Sequence, residues 1–103
     1  MATHEIAHSW TGNEVTCENW SNFWLNEGFT VFEERKVSGE IHGKEFSLVN
    51  AYIGNISMYN SMLGYGLNHS YSSLYPVLNG DKPDNSFSVI PYEKGYQFLY
   101  YLE

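Results

Sequence analysis

Two histidines four residues apart, with a glutamate directly after the first, stand near the start of the sequence as His4-Glu5-Ile6-Ala7-His8. On an α-helix, positions i and i+4 lie one turn apart on nearly one face, so both imidazoles can reach a single tetrahedral Zn²⁺. Glu5 then sits beside that face. From there its carboxylate suits a general base that takes a proton as water attacks a carbonyl, without itself binding the metal. A catalytic zinc takes a third protein ligand and keeps a fourth position open. Taken alone, five residues are a modest signal, and the plain alternative is a solvated helix carrying two surface histidines.

A second segment changes that balance. Trp24-Leu25-Asn26-Glu27-Gly28 places a carboxylate eighteen intervening residues after His8, far enough for a turn and a second helix to pack back on the first. With His-Glu-x-x-His-Ser-Trp-Thr-Gly-Asn it closely resembles the gluzincin family of zinc metallopeptidases, that of aminopeptidase N and leukotriene A4 hydrolase. The stretch Trp20-Ser-Asn-Phe-Trp-Leu-Asn-Glu-Gly-Phe-Thr and the later Pro91-Tyr92-Glu93-Lys94-Gly95 look most like the leukotriene A4 hydrolase branch. The resemblance runs essentially end to end.

The resemblance implies a role for particular residues. His4, His8 and Glu27 match the three zinc ligands, for one Zn²⁺ per chain, and Glu5 matches the general base. Tyr92 matches the family's tyrosine whose phenol stabilises the oxyanion of the tetrahedral intermediate, where a neutral donor meets developing charge; outside that motif a tyrosine beside proline is more often a packed aromatic. Glu34 follows Glu27 by seven residues, two helical turns on the same face. It either orients a ligand histidine or belongs to the solvated run Glu33-Glu34-Arg35-Lys36. Asp84 falls where the leukotriene hydrolases carry an aspartate that directs water in epoxide opening, with an ordinary loop carboxylate as the alternative. Phe87 stands where that branch commonly has tyrosine, which counts against the lipid reaction. His42 and His69 match no ligand position, and Cys17 has no partner cysteine at ligand spacing.

The Gly-x-Met-Glu-Asn strand by which such aminopeptidases hold a substrate's free amino group is not in the sequence, nor are the family's N-terminal β domain and C-terminal helical domain. Residues 1–103 are therefore expected to be a single partial catalytic domain, truncated at both ends relative to the family. Self-association through surfaces exposed by the truncation is expected, and zinc is expected to contribute to folding because its ligands come from two helices. Three functions follow: a zinc metallopeptidase of aminopeptidase type acting on peptides, a zinc-binding fragment with little catalysis, and a leukotriene-type epoxide hydrolase.

The elements that must position these residues are helical. A chain of 103 residues, 43% hydrophobic and rich in aromatics, fits one small domain. The expected fold is mainly α, with about four helices and a long loop before the last, which the resemblance identifies with the helical lobe of a thermolysin-like zinc metallopeptidase catalytic domain. The first helix is predicted over residues 3–11, ended by Gly12-Asn13. The second starts at an N-cap on Ser21 or Asn22 and ends at Gly39. The third, over 44–63, carries an apolar face of Phe46, Val49, Ile53, Ile56 and Tyr59 or Met58, weakened in the middle by Gly54. Residues 64–91 hold all three prolines and read as loop with one short helical turn, and 92–103 form the last helix.

A formal charge of -7 disfavours nucleic acid and an anionic membrane surface as partners. The apolar runs are too short to span a bilayer. One cysteine forms no internal disulfide, so the cytoplasm is the expected compartment.

Overall fold

The computed structural model describes residues 2–103, and the α-helices among them are α1 (Ala2–Ala7), α2 (Phe23–His42), α3 (Lys44–Tyr65) and α4 (Ile90–Leu102). Short 3-10 turns at Trp20–Asn22, Ser70–Ser72 and Pro83–Ser86 punctuate the connections. The expected four-helix, mainly α arrangement with a long segment before the last helix is therefore the one observed. That segment holds two short helical turns where one was expected.

α1 stops at Ala7, short of the predicted residue 11. Beyond it the chain tightens, with Ser9 N–H donating to Ile6 O at 3.0 Å and Trp10 N–H to Ala7 O at 3.0 Å, both i to i−3. His8 N–H still bonds His4 O at 3.1 Å, so the helical register survives across the motif. At the start of α2, Asn22 stands at the cap position without a side-chain cap bond. Its amide donates to Asn19 Oδ1 instead, and the Ser21 hydroxyl donates to Pro76 O, so neither side chain caps the helix.

α2 runs three residues past Gly39, to His42. The residue that ends it is Gly43, at φ 100°, a left-handed conformation that suits glycine. α4 begins at Ile90, two residues before the predicted start, because Pro91 falls in the first turn where its missing N–H costs no helical bond.

α2 is the central element, and α1, α3 and α4 all pack on it. Its approach to α4 is backbone to backbone, since a Cβ on Gly28 would lie 2.8 Å from the Cα of Gly95. Around this crossing lie the buried Val31, Ile90 and Tyr96, with Ala7 from α1 and Met58 from α3.

The predicted apolar face of α3 does not face this core. Phe46, Val49, Ile53, Ile56 and Tyr59 are all exposed, between 46 and 61% of their surface. The helix docks through another face, on which Gly54 and Met58 are buried and Ser47 and Asn50 bond Arg35 of α2. Polar contacts to Arg35, from Asn50 to its guanidinium and from Ser47 to its backbone carbonyl, and not the apolar stripe, set the rotation of α3. Gly54, expected to weaken the helix, is buried at this contact within a continuous helix.

Candidate metal centre

The first helix and the turn that follows it deliver the two histidines to one carboxylate. The Nε2 atoms of His4 and His8 each lie 3.2 Å from Glu27 Oε2. Ligand atoms held about 2.0–2.1 Å from a tetrahedral Zn²⁺ are separated by about 3.3 Å, so these contacts match two edges of a zinc coordination tetrahedron. The three residues offer ligand atoms all within 4.8 Å of one another, and no other such group of His, Cys, Asp and Glu is found among the described residues. Glu27 is buried on α2, while the histidine side chains keep 15 and 21% of their surface exposed, leaving one side of the group open. Two neutral imidazoles and one carboxylate, an N₂O donor set with an open side, fit zinc.

The other ring nitrogens are engaged as a metal site requires. His4 Nδ1 lies 3.2 Å from Glu34 Oε2 and His8 Nδ1 lies 2.9 Å from Thr11 O. A carboxylate and a carbonyl accept, so with the Nε2 lone pairs turned to a metal both Nδ1 atoms would carry the proton. Thr30, fully buried one turn after Glu27, braces this arrangement. Its hydroxyl lies 3.2 Å from His8 Nδ1 and 2.7 Å from the Thr11 hydroxyl, and donates to Asn26 O at 2.6 Å. Sequence reasoning singled out neither Thr11 nor Thr30. Their spacing, each three residues after a candidate ligand, was the available signal.

Tyr92, in the first turn of α4, stacks on His4 with ring centroids 6.1 Å apart and 24° between planes. The rings of Phe23 and Phe87 stand nearly perpendicular to it, at 6.0 and 6.3 Å. Burial first, then the charges of Glu27 and Glu5, push the Tyr92 phenol up to about 12, so it stays a neutral donor. Glu5 itself is exposed at the edge of the group.

Asp84 is not part of this cluster. It lies exposed in the Pro83–Ser86 turn, at a separate cavity of about 160 Å³ whose walls include Trp20, Phe23, Trp24, Phe87 and Pro91. Through Phe23 and Phe87 that cavity abuts the back of Tyr92. His42 packs on Phe46 near the end of α2, and His69 accepts from Tyr71 N–H in a 3-10 turn, both away from the centre. Cys17 is a free thiol whose backbone N–H donates to Asn26 Oδ1.

A family model described as the peptidase family M1 domain matches residues 1–103. Leucine aminopeptidase 2 of Emericella nidulans is 47% identical over 103 residues, which is 100% of this chain and 17% of that protein. Leukotriene A-4 hydrolase of Xenopus laevis is 48% identical over 103 residues, again 100% of this chain and 17% of the relative. Among solved structures, native leukotriene A4 hydrolase from Saccharomyces cerevisiae superposes with a TM-score of 0.92 at 45% identity, covering 99% of this chain and 16% of that one. The chain thus spans about a sixth of the length of the relatives it matches.

Proposed function

The chain belongs to peptidase family M1, and from that membership we propose that it serves zinc-dependent, aminopeptidase-type hydrolysis of peptide bonds, with residues 1–103 as part of the catalytic domain. The observation that carries this reading is the convergence of His4 Nε2 and His8 Nε2 on Glu27 Oε2, each at 3.2 Å. These three residues would hold the ion, and Glu34 would orient His4 from behind. When bound, zinc supplies a Lewis acid that polarises the substrate carbonyl and makes water a nucleophile at neutral pH.

The chain's own groups do the rest. Glu5 takes a proton from the attacking water and returns it to the leaving amine. Tyr92 donates its phenolic hydrogen bond to the oxyanion as charge builds, and the raised pKa keeps that proton on the oxygen. The substrate class is peptide, and the charge of -7 argues against nucleic acid or an anionic membrane. No helix among the described residues is long and apolar enough to cross a membrane. The single free cysteine supports a reducing compartment such as the cytoplasm.

The test is hydrolysis of amino-acid amides by the wild type and by Glu5→Gln, with zinc measured in both. The variant is expected to keep its zinc and lose turnover; equal rates at equal zinc would remove Glu5 as the base. Stoichiometric zinc with no turnover by the wild type on any peptide would favour a zinc-binding fragment with little catalysis.

A second reading, epoxide opening on a lipid, is favoured by one observation: Asp84 sits at an aromatic cavity that adjoins Tyr92. Unchanged product formation by Asp84→Asn would remove it.

A further inference from the structure

Away from the metal centre, the three long helices meet at one buried charge. Arg35 of α2 is 6% exposed and forms a two-pronged ion pair with Glu93 of α4, Nη1 to Oε2 at 2.7 Å and Nη2 to Oε1 at 2.8 Å. Its Nε donates to Asn50 Oδ1 at 2.9 Å, Nη2 also donates to Asn50 O at 3.3 Å, and the Tyr96 ring lies 4.4 Å under its Cζ. α3 makes room for the carboxylate, because a Cβ on Gly54 would fall 2.3 to 2.4 Å from the carboxyl atoms of Glu93. Glu93 is the residue next to Tyr92.

We propose that the Arg35–Glu93 pair is a positioning clamp that fixes the rotation of α4 about its axis and thereby holds the Tyr92 phenol against the metal centre. The proposal rests on the reading of Tyr92 as the oxyanion donor. Arg35 stands eight residues after Glu27, about 12 Å along the helix, so it acts through Tyr92 and not on substrate.

The contact between Gly28 and Gly95 sets how closely α2 and α4 approach, but two bare backbones offer little resistance to one helix turning on the other. A guanidinium fork on a carboxylate does resist turning, because both bonds are directional. Replacing such a buried pair by apolar residues is often neutral or stabilising, so stability alone gives weak reason to place one here. The lever is long. A tyrosine hydroxyl stands roughly 9 Å from its helix axis, so a turn of about 10° moves it about 1.5 Å, and misplacement by about 1 Å can cost about 10²-fold in rate.

The test uses the zinc-loaded chain with 3-fluorotyrosine at position 92, compared in wild type, Arg35→Lys, Glu93→Gln and Gly54→Ala. Gly54→Ala keeps both charges and favours the helix intrinsically, yet its methyl displaces the Glu93 carboxylate. The fluorine resonance reads where Tyr92 sits, the visible bands of the cobalt-substituted protein read the metal site, and amide hydrolysis gives kcat and KM. The expected result is a shifted or broadened resonance in all three variants with cobalt bands unchanged, and kcat lowered about 10²-fold with KM nearly constant. A wild-type resonance and kcat in Gly54→Ala would overturn the clamp. So would joint loss of the cobalt bands and the helical signal in all three, which would make the pair a support of the whole fold. A wild type that binds cobalt but hydrolyses nothing would count against the peptidase reading alone, and the resonance would still decide the clamp.

Discussion

Gly28 and Gly95 meet with no side chain between them: a Cβ on either would lie 2.8 Å from the other's Cα. Glu27 is the residue before one and Tyr92 stands three before the other, so this contact sets the distance between a candidate ligand and the candidate oxyanion donor. Gly95→Ala is expected to push α4 away from α2, costing about 1–3 kcal/mol by overpacking. The zinc content should stay at the wild-type level, because the three candidate ligands lie on α1, the turn after it and α2, while kcat falls about 10²-fold. Denaturant unfolding, metal analysis and amide hydrolysis on one preparation check all three.

In the proposed site Glu34 would tune a ligand without touching the metal. Its carboxylate is 3.2 Å from His4 Nδ1. Glu34→Ala removes the acceptor that directs the His4 lone pair to the centre, and zinc affinity is expected to weaken about 10–100-fold. Competition with a chromophoric chelator measures it. An unchanged affinity would return Glu34 to the solvated run on α2.

Much of the candidate grouping was legible because its residues are local in sequence. His4 and His8 are related by one helical turn, and only their partner had to be found; Glu27 sits in a motif specific enough to name. What supports these residues was less legible. Thr11 and Thr30 stand inside the quoted motifs, but they act through a carbonyl and a buried hydroxyl whose partners no residue type or spacing names, and the partnership of Arg35 with Glu93 spans 58 positions. The helices were legible from periodicity, but the rotation of α3 was not, since its apolar stripe pointed to a core that polar contacts to Arg35 overrode. Helix ends shifted for a similar reason: Gly39 and Gly43 are alike in sequence, and only the backbone distinguishes which of them adopts positive φ.

That exposed stripe has a consequence. With Phe46, Val49 and Ile53 half or more exposed along one helix, the purified chain is expected to self-associate. Sedimentation velocity across a concentration series should show weight-average mass rising with concentration. Val49→Glu with Ile53→Glu should restore a single monomeric species at unchanged zinc content. A wild type that stays monomeric throughout would show that the stripe alone does not drive association.

Zinc should also hold α1 in place. A helix of six residues is marginal by itself, and α1 with the turn after it meets α2 through buried Ala7, the histidine contacts to Glu27 and Glu34 and the pairing of Thr11 with Thr30. Chelation leaves the Glu27 carboxylate without its cation. Amides of residues 4–8 are expected to exchange faster with solvent deuterium, while those of α2 near Val31 stay protected, and the thermal midpoint should fall. An unchanged midpoint after verified zinc removal would show that the metal contributes nothing to folding.

The Tyr92 phenol gives a titration with a definite sign. In the metal-free chain burial, then Glu27 and Glu5, raise it from 10.0 to about 12. A phenol whose folded pKa lies above its unfolded value favours the folded state fully below pH 10.0, and that contribution is lost as pH rises from there to about 12. The difference in tyrosinate absorbance between wild type and Tyr92→Phe should therefore stay flat through pH 10.0 and rise only near 12. Binding zinc places positive charge beside Glu27 and offsets part of the cause, so the same difference curve should move to lower pH in the zinc-loaded chain. A curve that rises at pH 10.0 without metal, and does not move with it, would show that the phenol feels neither the carboxylates nor the ion.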